Sequence, residues 1–392
     1  MAATHGSALS QHPEAAEATG HVVGRVLEQV GDAPDIAALF CTVHHRDALA
    51  DVAATVRRVL HPGVVFGATA VAVLGGQTEA EDGPGLSLFA ARLPDRPRPV
   101  RMTATRTPSG LAVSGLSGEL LATGGTLLLV ADPFSLPIDA ILDGMADAGV
   151  ALPVVGGLAS AGAGPGGNRL VLDGEMFDDG GVGALLPPGA LAATVVSQGC
   201  RPVGDPMIVT AAEGNTILEI AGMPALDRLD QLVTAASPDE RGQLAAGLHI
   251  GVAIDEHRAT FGRGDFLVRT IVGADRRRRA LVVGTTVPVG TTVQFQVRDA
   301  ASADEDLWTV LADVAGAGAL VFTCNGRGRR LFGTPDHDAG AVSDALGTSA
   351  LAGMFCAGEL GPVGDRSFVH GFTASVAVFG HPPSVGSGGT GQ

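Results

Sequence analysis

The chain has 392 residues, 46% of them hydrophobic, a formal net charge of -16, and neither lysine nor tyrosine. That length suits two ordinary domains or one large α/β body, and an acidic surface repels phosphate backbones, so nucleic acid is not an expected partner. Without lysine there is no Schiff-base chemistry, no P-loop lysine and no kinase strand lysine.

Residues 1–34 predict a mostly flexible segment with one helix, Glu14–Val30. Beyond it, short Gly-bounded runs rich in Val, Phe and Ala alternate with helical periodicity, which predicts an α/β fold. The spacing predicts helices over Arg46–Leu60, Pro137–Ala148, Pro224–Ala236 and Ala301–Val314, interleaved with buried strands such as Ile36–Thr42, Thr126–Val130, Val154–Leu158, Ala319–Phe322 and Leu351–Phe355. One order recurs three times, beginning at Ile36, Thr126 and Ala319: strand, polar residue, helix, strand, glycine. Such βαβ units place their polar residues at one carboxyl edge, here Cys41, Thr69, Asp132, Ser160, Cys324, Cys356 and Glu359. The expectation is a two-lobe, mixed-sheet architecture built from βαβ-type units, with lobes Asp35–Met223 and Pro224–Gly380. Arg276–Arg279, between two strand-like runs, reads as a solvated hairpin tip. The Pro/Gly/Ser-rich tail, residues 381–392, should be disordered. No apolar run is long enough to span a bilayer, and residues 1–20 lack a basic and an apolar signal region. The expected location is therefore the cytoplasm, without a membrane partner.

Cys41, Cys200, Cys324 and Cys356 show no C-x-x-C spacing and no zinc-like His spacing, so no metal or other cofactor is implied. Special residues concentrate at the ends of apolar runs in three places: SQGCRPVGDP from Ser197, CNGRGRRLFG from Cys324, and MFCAGELGPVGDRSFVHGFTAS from Met354. Arg327 offers a fork for a carboxylate, Asn325 positioning, and Glu359 a partner for an ammonium group or for Arg327. Gln198 and Arg201 line a cleft or pin a linker. Cys324 or Cys356 with His370 would make a nucleophile–base pair. No nucleophile elbow accompanies them. A pure interaction scaffold, with polar strand ends serving structure alone, is the third reading.

These three runs, with the weaker FGATAVAVLGG (followed by Glu79 and Glu81) and VVGGLASAG, resemble the FIST family (F-box and intracellular signal transduction) from about Asp35 to Phe379. The resemblance implies a FIST N-terminal-like domain over 35–223, a FIST C-terminal-like domain over 224–380, and an intracellular sensory module. It implies a small ligand such as an amino acid, and a signalling partner in trans. Carried onto this chain, the motif residues are Gln198, Cys200, Arg201, Cys324, Asn325, Arg327, Cys356, Glu359, His370 and Thr373. Ser160 joins them as a ligand-binding candidate from its strand end.

Overall fold

A computed structural model describes residues 4–108, 110–121 and 124–380; the tail expected to be disordered lies outside the described residues. The chain forms two compact units, one of Met1–Val196, Trp308–Val369 and Ala374–Gln392, the other of Ser197–Leu307 and His370–Thr373. These compact units cut across the two stretches, 35–223 and 224–380, expected as domains. The C-terminal βαβ segment pairs with strands of the N-terminal half and folds as part of the first unit, and the second unit is an insertion.

The first unit is one module used three times. Module one runs β1 (His5–Ser10), α1 (Ala15–Val30), β2 (Ile36–Thr42), α2 (Leu49–Leu60), β3 (Val64–Ala70), the hairpin β4 (Val73–Gly75) and β5 (Thr78–Ala80), then β6 (Leu86–Ala91). Module two runs β7 (Arg98–Thr107), β8 (Gly110–Ser114), α3 (Gly118–Leu121), β9 (Thr126–Ala131), α4 (Ile138–Asp147), β10 (Val154–Leu158), the hairpin β11 (Leu170–Leu172) and β12 (Glu175–Phe177), then β13 (Gly181–Leu186). Module three opens with β14 (Leu191–Gln198), which leads into the insertion.

The insertion comprises β15 (Cys200–Glu213), β16 (Thr216–Ile220), β17 (Met223–Pro224), α5 (Ala225–Ala235), α6 (Pro238–Ala246), β18 (Leu248–Ala253), β19 (Phe266–Asp275), β20 (Ala280–Val283) and β21 (Thr292–Arg298). Its strands run in the order β15-β21-β18-β19-β20-β16, all antiparallel, and β15 also bonds β16, so the sheet closes on itself. Closure needs β15 to turn a corner; it does so at a register shift between Val203 and Met207, where Gly204 takes φ 70°. Ile250, Phe295, Ile217 and Val283 fill the interior. The βαβ expectation therefore fails for this unit. Arg276–Arg279 do form the β19–β20 tip, and Arg279 is held by Asp227 and Asp230 near the start of α5.

α7 (Ala300–Leu311) runs from the second unit back into the first, and module three resumes with β22 (Gly318–Cys324), α8 (Arg329–Phe332), α9 (His337–Leu346), β23 (Leu351–Cys356), the hairpin β24 (Glu359–Val363) and β25 (Arg366–His370), and β26 (Thr373–Phe379). In each module the first strand of the crossover pairs in parallel with the second: β2 with β3, β9 with β10, β22 with β23. On its other side it pairs with the module's last strand, antiparallel. The hairpins are exchanged cyclically. β4 of module one pairs with β23 of module three, β11 of module two with β3 of module one, and β24 of module three with β10 of module two. The exchange is repeated bond for bond: Phe355 donates its N–H to Ala72 O (2.9 Å), Thr69 to Arg169 O (2.9 Å) and Leu158 to Gly358 O (2.8 Å).

The three sheets share one core. Ile36, Ala38 and Phe40, Leu128 and Val130, and Leu320 and Phe322 face it, while the alternate residues Ala37 and Leu39 pack under α1 and α2, and Leu127 and Leu129 under α4. The N-terminal segment is not loose, as had been expected. His5–Ser10 pairs along its whole length with β6 and α1 lies over the sheet. HGSALS has no β-branched residue, and its strand state comes from that pairing.

The same crossover position holds a glycine in every module: Gly67 opposite Leu39, Gly156 opposite Leu129, Gly353 opposite Val321. A Cβ there would lie 1.8, 1.8 and 1.9 Å from the facing carbonyl oxygen, so the neighbouring backbone itself excludes a side chain. Gly353→Ala should therefore cost about 3 kcal/mol or more. Gly20→Ala on α1, where nothing lies within 4 Å, should be neutral or stabilising by up to about 1 kcal/mol. Denaturant unfolding of the two variants checks the contrast.

Candidate functional site

The carboxyl edge of module three carries the most polar chemistry of the first unit. β22 ends at Cys324, and the chain turns at once: Arg327 N–H bonds Cys324 O (2.8 Å) and Asn325 N–H bonds Cys356 O (2.9 Å). One turn of helix, α8, follows, and α9 starts after Asp336. Opposite lies the exchanged β4–β5 hairpin, with Glu79 in β5 and Glu81 and Asp82 directly after it. Glu81 accepts the backbone N–H of Arg329 (3.0 Å). Gly328, at φ 60°, allows this approach, since a Cβ there would sit 2.5 Å from the Glu81 carboxylate.

Arg327 does not reach solvent. It is 1% exposed and forks onto Asp338, Nε to Oδ2 at 2.7 Å and Nη2 to Oδ1 at 2.8 Å. Thr323 Oγ1 donates to the same carboxylate, and His337 Nδ1 lies 2.9 Å from it. The Phe332 ring lies under the guanidinium, 5.1 Å away, and stacks on His337. Burial opposes both charges. The Arg327 guanidinium nevertheless holds the Asp338 carboxyl well below the usual range, and Asp338 holds the arginine above its usual value. The expectation that Arg327 grips a ligand carboxylate is thus corrected, since its fork is consumed internally. Its Nη1 is buried with no hydrogen-bond partner among the described residues.

Glu79 sits beside this pair. Its Oε1 accepts the N–H of Ala339 in the first turn of α9 (3.0 Å), and its own N–H bonds Asp336. Burial, then the Asp338 charge, push its carboxyl up to about 8, so it is largely protonated at neutral pH. Burial also raises Glu81.

Between hairpin and loop lies a cleft of ≈ 360 Å³. Val71, Ala72 and Phe355 supply an apolar wall, Glu81 and Asp82 an acidic side, and Asn325, Arg329 and Arg330 the other side. Arg329 bridges toward Glu81 (3.8 Å) and Asp82 (3.2 Å). Arg330 is exposed and makes no ion pair among the described residues. Asn325 and Arg330 line this cleft, and Arg327 does not.

Ser160 is buried and braces the wall. Its hydroxyl donates to Phe355 O (2.5 Å) and accepts Val71 N–H (3.0 Å), tying residues of all three modules. Cys356 is fully buried, and burial raises its thiol well above the ordinary value. Cys324 is 6% exposed, with its sulfur accepting Gly326 N–H at 3.4 Å. Glu359 is fully buried opposite Gly157. Gln198, Arg201, His370 and Thr373 are buried or half-buried and belong to the second unit. There Gln198 bonds Asp306 and Phe266 O, and Arg201 bonds Gln243 (2.6 Å) and Asp299 (3.5 Å). These four belong to the second unit, and the residues lining the cleft belong to the first. Asp338, Asp82, Arg330 and Val71 were missed. The acidic triplet after GGQT and the aspartates of PDHD preceding a helix were the available signals.

Two outcomes test the site's electrostatics. Asp338→Ala strands a buried guanidinium and should lower stability by about 3–5 kcal/mol, measured by denaturant unfolding. Glu79 titrates higher in the folded chain than the ordinary carboxylate does in the unfolded one. Between the ordinary value of 4.5 and about 8 the native state holds the extra proton, so wild-type stability falls as pH rises through that window. Glu79→Gln should remove that slope, and its melting temperature should gain on wild type from pH 5 to pH 8.

Among the described residues no helix is long and apolar enough to cross a membrane, and no group of three or more His, Cys, Asp or Glu is placed to hold a metal ion. The FIST N domain matches residues 35–223 and the FIST C domain residues 225–362. An uncharacterized protein of Mycobacterium tuberculosis is 41% identical over 381 residues, covering 95% of this chain and 99% of its own. One of Mycobacterium bovis is 41% identical over 374 residues, covering 94% and 96%. The chain belongs to the FIST family, whose domains are associated with signal-transduction sensing.

Proposed function

We propose that the cleft between the β4–β5 hairpin and the 325–330 loop binds a small zwitterionic or anionic metabolite, an amino acid or a relative of one. The protein would act as a sensor that passes its state to a separate signalling partner. The observation that carries this reading is the pairing of an uncommitted guanidinium, Arg330, with an acidic side at Glu81 and Asp82 and an apolar wall at Phe355, in a cleft of ligand size. Arg330 takes the ligand's carboxylate, Asn325 orients it, and Glu81 or Asp82 takes an ammonium group. Binding pulls on the 325–336 loop, whose far end is held by Arg327 and Asp338.

Cysteine catalysis is not favoured. All four cysteines are buried, and burial pushes the Cys41 thiol up to about 12. Iodoacetamide at neutral pH should label none of them rapidly in the native chain, and rapid labelling of Cys324 would revive the hydrolase or transferase alternative.

A thermal-shift screen against amino acids, organic acids and nucleotides tests the binding reading. The expected result is a saturable rise in melting temperature with α-amino carboxylates, lost in Arg330→Ala and weakened in Glu81→Gln. No shift with any class, or a shift that survives Arg330→Ala, rejects the site.

A further inference from the structure

Parallel pairing of β22 with β23 sets Cys324 directly opposite Cys356, at the carboxyl ends of both strands. Partners in register project from the same face of a sheet. Phe322 and Met354, two residues earlier and also opposite one another, both enter the central core, as does Cys356. Cys324 has the same phase. Neighbouring strands stand about 4.8 Å apart, inside the range of roughly 4.4–6.8 Å over which a disulfide spans two Cα atoms. The Cβ atoms must close by about 1 Å to reach the usual separation, so the bond would be strained and easily reduced.

The two sulfurs are not alike. Cys324 Sγ accepts the Gly326 N–H and lies in the field of the Arg327 guanidinium, whose charge it helps to hold. Its chain neighbour Asn325 lines the cleft, and Cys324 keeps 6% of its surface exposed. Cys356 is wholly enclosed, its sulfur packed over Gly157.

We propose that Cys324 and Cys356 form a reversible, peroxide-responsive disulfide beneath the cleft, with Cys324 attacking and Cys356 resolving. The Cys324 sulfur attacks hydrogen peroxide. An S–O bond forms, the O–O bond breaks, and the departing hydroxide takes the thiol proton and leaves as water. The Cys356 sulfur then attacks the sulfenic sulfur. The S–S bond forms, the S–O bond breaks, and hydroxide leaves with the second thiol proton as another water. Two electrons pass from the thiols to peroxide. The step does not depend on the cleft holding a metabolite. Its consequence would reach the cleft, since Cys356 O accepts the Asn325 N–H and Phe355 is the preceding residue.

Peptide mass spectrometry of the full chain tests this directly. The native protein is treated with hydrogen peroxide at neutral pH, remaining thiols are alkylated in denaturant, and the chain is cut after arginine. The expected product is residues 299–327 linked to residues 331–366, two hydrogens lighter than the separate peptides and released by dithiothreitol. In Cys356→Ala the link should vanish and Cys324 should accumulate as sulfenic or sulfinic acid. All thiols remaining alkylatable, oxidation of Cys324 without the link in wild type, or a link from either cysteine to Cys41 would overturn the proposal. The wild-type result decides it even if Cys356→Ala does not fold.

Discussion

The first unit depends on backbone pairing between modules. A β2–β3, β9–β10 or β22–β23 pair has an open edge along its second strand, and an open edge is a site for pairing with another chain. Each module covers that edge on its neighbour by giving up its own hairpin. The cycle closes only because all three hairpins are given, so no module completes its sheet alone. The glycines at 67, 156 and 353 mark where this pairing is tightest, and they recur because the geometry recurs. The shared core follows, since three sheets joined in this way turn their inner faces toward one another.

Exchange also explains why polar residues far apart in sequence meet. Glu79 and Asp338 are neighbours only because β4 of module one lies on β23 of module three. The meeting carries a cost, because the carboxyl groups of Glu79, Glu81 and Asp338 are brought together and Arg327 pairs with one of them, Asp338. The structure resolves it by charge assignment. Asp338 takes the arginine and stays ionised, Glu79 keeps its proton, and Glu81 remains at the cleft, bonded to the Arg329 backbone. A buried pair of this kind contributes little net stability while making the loss of either partner expensive. Its structural effect is to fix the far end of the 325–336 loop.

Much of this was legible in the sequence. The three crossovers were visible at Ile36, Thr126 and Ala319, because alternation of apolar runs with helical periodicity depends on local pattern. Asn325 lies on the cleft wall because an Asn-Gly turn directly after a buried strand falls at the sheet edge. The hairpin exchange was not legible. Residues 73–80 and 170–177 form hairpins, but nothing local says whose edge they join. The same gap misplaced Arg327. A guanidinium after a strand looks available until Asp338, eleven residues on and across a helix start, is seen to occupy it. The β1 strand was missed because its conformation comes from β6 and not from its own side chains. The closed barrel was missed because its corner at Gly204 lies inside what reads as an extended linker.

The three carboxyl edges are equivalent by topology and differ in chemistry, which bears on why one of them has a cleft. At module one, the Thr42 hydroxyl bridges Gly83 O and Gly85 N. At module two, the Asp132 carboxylate is used up by Asn168 Nδ2, Ser135 Oγ and Phe134 N–H. Each of these groups is bonded within its own module. At module three the first strand ends in a thiol, a weak hydrogen-bonding group, and the following loop is long enough to hold a helical turn. That loop spends its buried arginine on Asp338 and leaves Arg330 and Asn325 facing the acidic residues of the incoming hairpin. An edge whose polar groups are satisfied from within has nothing to offer a ligand. The edge of module three keeps unspent donors on one side and carboxylates on the other, and the hairpin exchange that completes the fold also supplies the second of these.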